Sequence, residues 1–90
     1  MMLEIVPKSR YKKDIKKMNS SGKNLKELKD VIDKLQKLEP LDPTYHDHKL
    51  KGFWKEHREC HIQSDWLLIY QQTDKFLILF RTGSHSELFE

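Results

Sequence analysis

Glu56-His57-Arg58-Glu59-Cys60-His61-Ile62-Gln63-Ser64-Asp65-Trp66-Leu67-Leu68-Ile69-Tyr70, followed through Gln71–Lys75 by Phe76-Leu77-Ile78-Leu79-Phe80-Arg81-Thr82-Gly83-Ser84-His85 and Ser86-Glu87-Leu88-Phe89, decides the fold. Trp66–Tyr70 and Phe76–Phe80 are apolar runs rich in aromatic and aliphatic side chains, and polar clusters bound each of them. Runs of that length and composition read as buried strands. The five residues between them have the length of a hairpin loop. Upstream, side chains alternate: His57, Glu59 and His61 share one strand face, and Arg58, Cys60 and Ile62 the other. Cys60 and Ile62 are expected to face the core, Cys60 as a small buried apolar residue. A rigid antiparallel sheet with titratable groups at its strand ends is the expectation. Arg81–His85 reads as a polar turn and Ser86–Phe89 as a short terminal segment.

Working outward, Met2–Val6 forms a short strand stopped at Pro7, which lacks an N–H for a ladder. Ser9 can cap a helix whose stripe is Tyr11, Ile15 and Met18, and Gly22 can end it in the left-handed conformation. Asn24 and Glu27 have capping-box spacing, and Leu25, Leu28, Val31, Ile32, Leu35 and Leu38 continue as a second helical stripe that Pro40 and Pro43 close. Both stripes are read as core. Leu41–Leu50 is irregular, and Gly52-Phe53-Trp54 opens the sheet region. Strand, helix, helix, then three or four strands gives an α+β fold in which a two-helix antiparallel hairpin packs on a small antiparallel sheet. Ninety residues make one domain, 1–90, with a single core and little to spare.

Composition excludes several classes. No apolar run approaches the roughly 20 residues needed to cross a bilayer, so no membrane partner is expected. Met1–Tyr11 has no signal-peptide h-region, and the single cysteine forbids an internal disulfide; both point to a reducing, cytoplasmic setting. Residues 1–40 hold 11 Lys/Arg against 6 Asp/Glu, whereas residues 41–90 hold 6 against 8 and all 5 histidines. The basic front half suits a polyanion, with a well-solvated pair of helices as the plainer alternative.

Three chemistries compete for the histidine-rich half. His46-x-His48 and His57-x3-His61 have metal-ligand spacings, with Cys60 and Asp65 nearby. A helix is what makes His-x3-His chelate, however, and residues 57–62 read as a strand, so no metal cofactor is expected. A Cys60 nucleophile fails on geometry, because His61 points to the opposite strand face. Metal-free RNA cleavage needs a base for the 2′-OH, an acid for the 5′-oxygen and a cation for the phosphate. His48, His61, Asp65 and His85 are the acid/base candidates, Arg81 the phosphate clamp, and Trp66 or Phe89 the base-stacking surface.

The motifs Asp47-His48-Lys49-Leu50-Lys51-Gly52 with Trp54-Lys55, Arg58-Glu59-Cys60-His61, Asp65–Tyr70, Arg81–His85 and Leu88-Phe89 occur in order in this one small chain. Together they resemble the RelE superfamily of bacterial type II toxins, most closely its YafQ branch. The resemblance implies two helices packed on an antiparallel sheet, and endoribonuclease cleavage of mRNA in the ribosomal A site, with ribosomal RNA contacts from the basic helices. It also implies a cognate antitoxin, with operator DNA bound only through the antitoxin complex. His48, His61, Asp65, Trp66, Arg81, His85 and Phe89 match the branch's functional positions, with His85 the implied general acid and Arg81 the phosphate clamp. The base stays open among His48, His61 and Asp65. Glu59 and Cys60 receive no role, and His46 and His57 are taken as surface residues. Two other readings stand beside this one: a toxin-like module that binds antitoxin and operator DNA without cleaving RNA, and a small ribonuclease that needs no ribosome.

Overall fold

A computed structural model describes residues 2–89. The chain runs β1 (Glu4–Pro7), α1 (Ser9–Ser20), α2 (Lys26–Gln36), β2 (His48–Lys49), β3 (Arg58–Gln63), β4 (Trp66–Gln72), β5 (Phe76–Gly83) and α3 (His85–Phe89). Single 3-10 turns lie at Pro43–Tyr45 and Gly52–Trp54. The five strands form one sheet in the order β1-β5-β4-β3-β2. This is the expected α+β fold. The sheet is mixed rather than wholly antiparallel, because β1 pairs parallel with β5, Glu4 opposite Phe76 through Pro7 opposite Leu79. A parallel neighbour requires a long crossover, and everything from α1 to β4 supplies it. No helix among the described residues is long and apolar enough to cross a membrane.

β4 is the central strand, with Trp66 through Tyr70 all fully buried. One sheet face carries Cys60, Ile62, Trp66, Leu68, Tyr70, Leu77 and Leu79 against Tyr11 of α1 and Leu28, Val31, Ile32 and Leu35 of α2. This is the main core, and the two helical stripes fill it as expected except at Leu38, which lies past the end of α2 and is exposed. The other face is covered only in part: Leu67 and Ile69 pack beneath Leu88 of α3, with Leu50, Trp54 and Phe80 at the margin.

Helix ends show where local chemistry acts. Gly22 has φ +81°, which glycine tolerates without a Cβ clash. α2 stops at Gln36, before Pro40: Leu38 turns left-handed at φ +61° and the Glu39 N–H donates to the Lys34 carbonyl at 2.9 Å. The prolines therefore shape the following loop instead of ending the helix. The expected terminal turn is replaced by the last residues of β5 and by α3. Ser84 and Glu87 make a reciprocal cap, the Ser84 N–H donating to Glu87 Oε1 at 2.9 Å and the Glu87 N–H to Ser84 Oγ at 3.2 Å. Lys17 of α1 donates to the free oxygen of Glu87 at 2.7 Å, tying α3 to the first helix.

Two ladder irregularities set side-chain direction. Ile69 pairs with Arg81 but Tyr70 with Leu79, so Phe80 is an extra residue in β5. After it the alternation changes phase. Thr82 now faces the main core opposite Leu68, and Arg81 shares the other face with Ile69. Between His61 and Gln63, Ile62 is likewise extra in β3 and drops into the main core.

Candidate active site at the β3 edge

The pairing of β2 with β3 sets His48 directly opposite Glu59. Strand alternation puts His61 on the same side as Glu59. The result is a buried carboxylate, 5 % exposed, shared by two imidazoles: Glu59 Oε1 lies 3.2 Å from His61 Nε2 and 3.6 Å from His48 Nε2. Nδ1 of His48 lies 2.6 Å from the His46 carbonyl oxygen. A carbonyl only accepts, so Nδ1 carries the hydrogen and Nε2 is the atom turned toward Glu59. His46 makes this possible by adopting φ +48°, an uncommon state for a residue with a Cβ.

A second pair faces the first. Asp65, in the β3–β4 turn, accepts with one oxygen from the His85 backbone N–H at 3.0 Å and pairs with His85 Nδ1 at 2.9 Å. These contacts hold its carboxyl below the usual carboxylate range, the backbone hydrogen bond most strongly. The ionised carboxylate fixes Nδ1–H as the donor and leaves Nε2 of His85 free for chemistry. His61 stands at the centre of the array, its ring 5.5 Å from His46, 6.4 Å from His48 and 5.6 Å from His85, centroid to centroid. Phe89 follows at 6.3 Å from His85 and is 43 % exposed. A groove of about 780 Å³ opens beside His48 and His61, lined also by Thr44, Tyr45, Gln63 and Ser64.

The structure brings His48, His61, Asp65, His85 and Phe89 together and treats the other two expected site residues differently. Trp66 is 1 % exposed, and its indole N–H donates to Thr82 Oγ1 at 3.0 Å. As the first residue of the central strand it belongs to the core, with no face open to a base, which corrects the expectation of a stacking surface. Lys23 Nζ lies over its ring at 4.7 Å. Arg81 Nε and Nη2 grip Asp14 of α1 at 2.8 and 3.1 Å, leaving Nη1 outside that fork. Hydrogen bonding to Asp14 also keeps the guanidinium more firmly protonated than usual.

Glu59 is the site residue that sequence reasoning passed over. Period-two alternation had already put it beside His61; what was missing was the sign that this face forms the site. His46, taken as a surface residue, is exposed but joins the array. His57 does not join it: its ring packs edge-on to Phe80 at 4.3 Å, and Nδ1 is buried without a hydrogen-bond partner. Cys60 is fully buried and burial pushes its thiol up, so it offers no nucleophile.

Glu59, His61 and His85 also offer one ligand atom each within 4.8 Å of one another. Two imidazole nitrogens and a carboxylate suit zinc or copper, provided side-chain rotation draws them around the ion.

The fold of this small α+β domain is shared with solved structures of bacterial toxins. Residues 3–90 match the family described as "Bacterial toxin of type II toxin-antitoxin system, YafQ", and the chain belongs to that family. The mRNA interferase toxin YafQ of Escherichia coli K12 is 52% identical over 46 residues, 51% of this chain. The match spans about half the length of that curated relative, 50%. Among solved structures, a copper-bound mutant toxin from Helicobacter pylori is similar at TM-score 0.94 and 50% identity, covering 98% of this chain and all 100% of that one. The E. coli DinJ-YafQ toxin-antitoxin complex is similar at TM-score 0.91 and 38% identity, covering 100% of both chains.

Proposed function

We propose that this protein, as one toxin domain spanning residues 1–90, is an mRNA interferase that cleaves mRNA in the ribosomal A site without a metal. The observation that carries the reading is the opposition of two histidine–carboxylate pairs, His61–Glu59 and His85–Asp65, with 5.6 Å between the histidine ring centres. Acid/base cleavage needs two proton-transfer groups flanking one phosphodiester.

In this reading a base on the β3 side, His61 or His48, takes the proton of the 2′-OH. The 2′-oxygen forms a bond to phosphorus as the P–O5′ bond breaks. His85, carrying hydrogens on both ring nitrogens, keeps Nδ1–H on Asp65 and gives its Nε2 proton to the leaving 5′-oxygen, and the products are a 2′,3′-cyclic phosphate and a 5′-hydroxyl. Glu59 orients the base, and Asp65, also a base candidate by sequence, is better placed to orient the acid. Arg81, steadied by Asp14, turns its remaining Nη1 to the phosphate, and Phe89 supplies the stacking ring. Lysines of α1 and α2 meet ribosomal RNA. The partner of the E. coli relative supports a cognate protein antitoxin here, with operator DNA reached only through that complex.

The copper-bound relative bears on the metal question. An ion held by Glu59, His61 and His85 would engage the nitrogens that proton transfer requires, so copper is expected to inhibit and a chelator to leave cleavage intact.

The deciding experiment is 5′-end mapping of cellular mRNA after brief induction, wild type against His85→Ala. In-frame cuts at a fixed codon position, absent from the variant, are expected. No new 5′ ends in either strain would favour a binding module, and cuts in untranslated RNA a ribosome-independent nuclease.

A further inference from the structure

We propose that the partly covered face of the sheet carries a second RNA subsite, a stacking platform formed by Phe53, Trp54 and Phe80 and flanked by Lys8, Lys51 and Lys55. It takes unpaired nucleotides away from the scissile phosphate. The proposal rests on the RNA-cleaving reading only for its choice of ligand.

Phe53 is 91 % exposed, far more than any other large apolar side chain among the described residues. Its ring is not isolated. It stands edge-on to Trp54 at 5.4 Å, Trp54 edge-on to His57 at 5.0 Å, and His57 edge-on to Phe80 at 4.3 Å. Four rings thus form a continuous row. The inner end is anchored: Trp54 and Phe80 pack on the Leu67, Ile69 and Leu88 cluster. The outer end, held out by the 3-10 turn Gly52–Trp54, has nothing on it.

Charge identifies the occupant. Lys51 and Lys55 flank the Gly52–Trp54 turn and are both exposed, and Lys8 Nζ sits 6.0 Å from the Phe80 ring. Glu56 is the one carboxylate within residues 49–56. Aromatic faces interleaved with cations are what single-stranded nucleic acid needs, because every base has a π-face and every nucleotide a phosphate. A protein partner would be drawn to the rings but would use the lysines only where it is acidic. Position agrees: Leu88, which the row packs beside, lies between His85 and Phe89 on α3, so RNA leaving the catalytic groups can run onto the platform.

The test is fluorescence anisotropy with a fluorescein-labelled 12-nucleotide RNA carrying 2′-O-methyl groups throughout, which binds but cannot be cut. Phe53→Ala is expected to weaken binding by about 5- to 100-fold, and Phe53→Trp to retain it. Lys51→Ala with Lys55→Ala should flatten the slope of log affinity against log salt by about 1.4. A thermal melt close to wild type is expected for Phe53→Ala, since that ring is almost wholly exposed and touches only the edge of Trp54. RNA binding within twofold of wild type in Phe53→Ala would overturn the proposal. So would wild-type protein that fails to bind the oligonucleotide at low salt. Loss of antitoxin capture with RNA affinity intact would reassign the row to a protein interface and also overturn it. Because no cleavage is read, these outcomes are independent of whether His85 proves catalytic.

Discussion

Glu59 and Asp65 each hold a histidine, in opposite surroundings. The side chain of Glu59 is 6 % exposed and divides one oxygen between His61 and His48; that of Asp65 is 66 % exposed and collects two hydrogen bonds from the single residue His85. A buried charge acts through a low local dielectric with little screening, whereas an exposed one is weakened by water and salt. The difference assigns unlike duties to chemically similar groups. Glu59 sets the field and direction of the His61 and His48 imidazoles, and Asp65 works as a latch that fixes the orientation of His85 through its Nδ1.

The comparison yields graded expectations for cleavage. His85→Ala, which removes the proposed proton donor, should lower the single-turnover rate about 10²- to 10⁴-fold. Glu59→Gln keeps the shape and removes the buried charge; a loss of about 10²-fold is expected from misdirected imidazoles. Asp65→Asn retains an oxygen that can accept from Nδ1 and should cost less than about tenfold, since exposed pairs contribute little. Equal losses for Glu59→Gln and Asp65→Asn in the same assay would remove the distinction between them.

The smallest effect concerns α3, which carries His85. Hydrogen bonds from Lys17, then from Ser84, bring the Glu87 carboxyl from its ordinary 4.5 down to about 2. A carboxyl depressed in the folded state stabilises it above the ordinary value, and that support fades as pH falls through the lower one. Glu87→Gln should therefore lower stability at pH 7 by about 0.5 kcal/mol, as expected of a largely exposed pair. Thermal melts of variant and wild type should converge between pH 4.5 and 2.

Much of this was legible in the chain. The apolar runs at Trp66 and Phe76 became the two longest strands, the stripes at Tyr11–Met18 and Leu28–Leu35 became core, and Cys60 and Ile62 turned to the helices. Five of the seven expected site residues converge. The rest was hidden for specific reasons. Trp66 looked like a stacking ring because it opens its apolar run next to polar Asp65, yet it begins a central strand, and centrality is a property of the assembled sheet. The parallel pairing of β1 depends on contacts more than 70 residues apart in sequence. Ser84-His85-Ser86-Glu87 had capping-box spacing and could have announced α3. Arg81's partner Asp14 lies 67 residues away, and no local pattern marks it.

The extra residue at Phe80 acts as an insertion in the reading phase of the last strand. Upstream of it odd-numbered positions, Leu77 and Leu79, address the core; downstream the even-numbered Thr82 does. Were the strand to run through Phe80 without the bulge, composition and hydrophobicity would be unchanged, yet Arg81 and Thr82 would exchange addresses. The arginine would be sent toward the buried indole of Trp66, and the threonine toward the site. The bulge thus decides which of two adjacent side chains reaches the site, and deleting Phe80, which restores a regular ladder, should leave both addresses as they are.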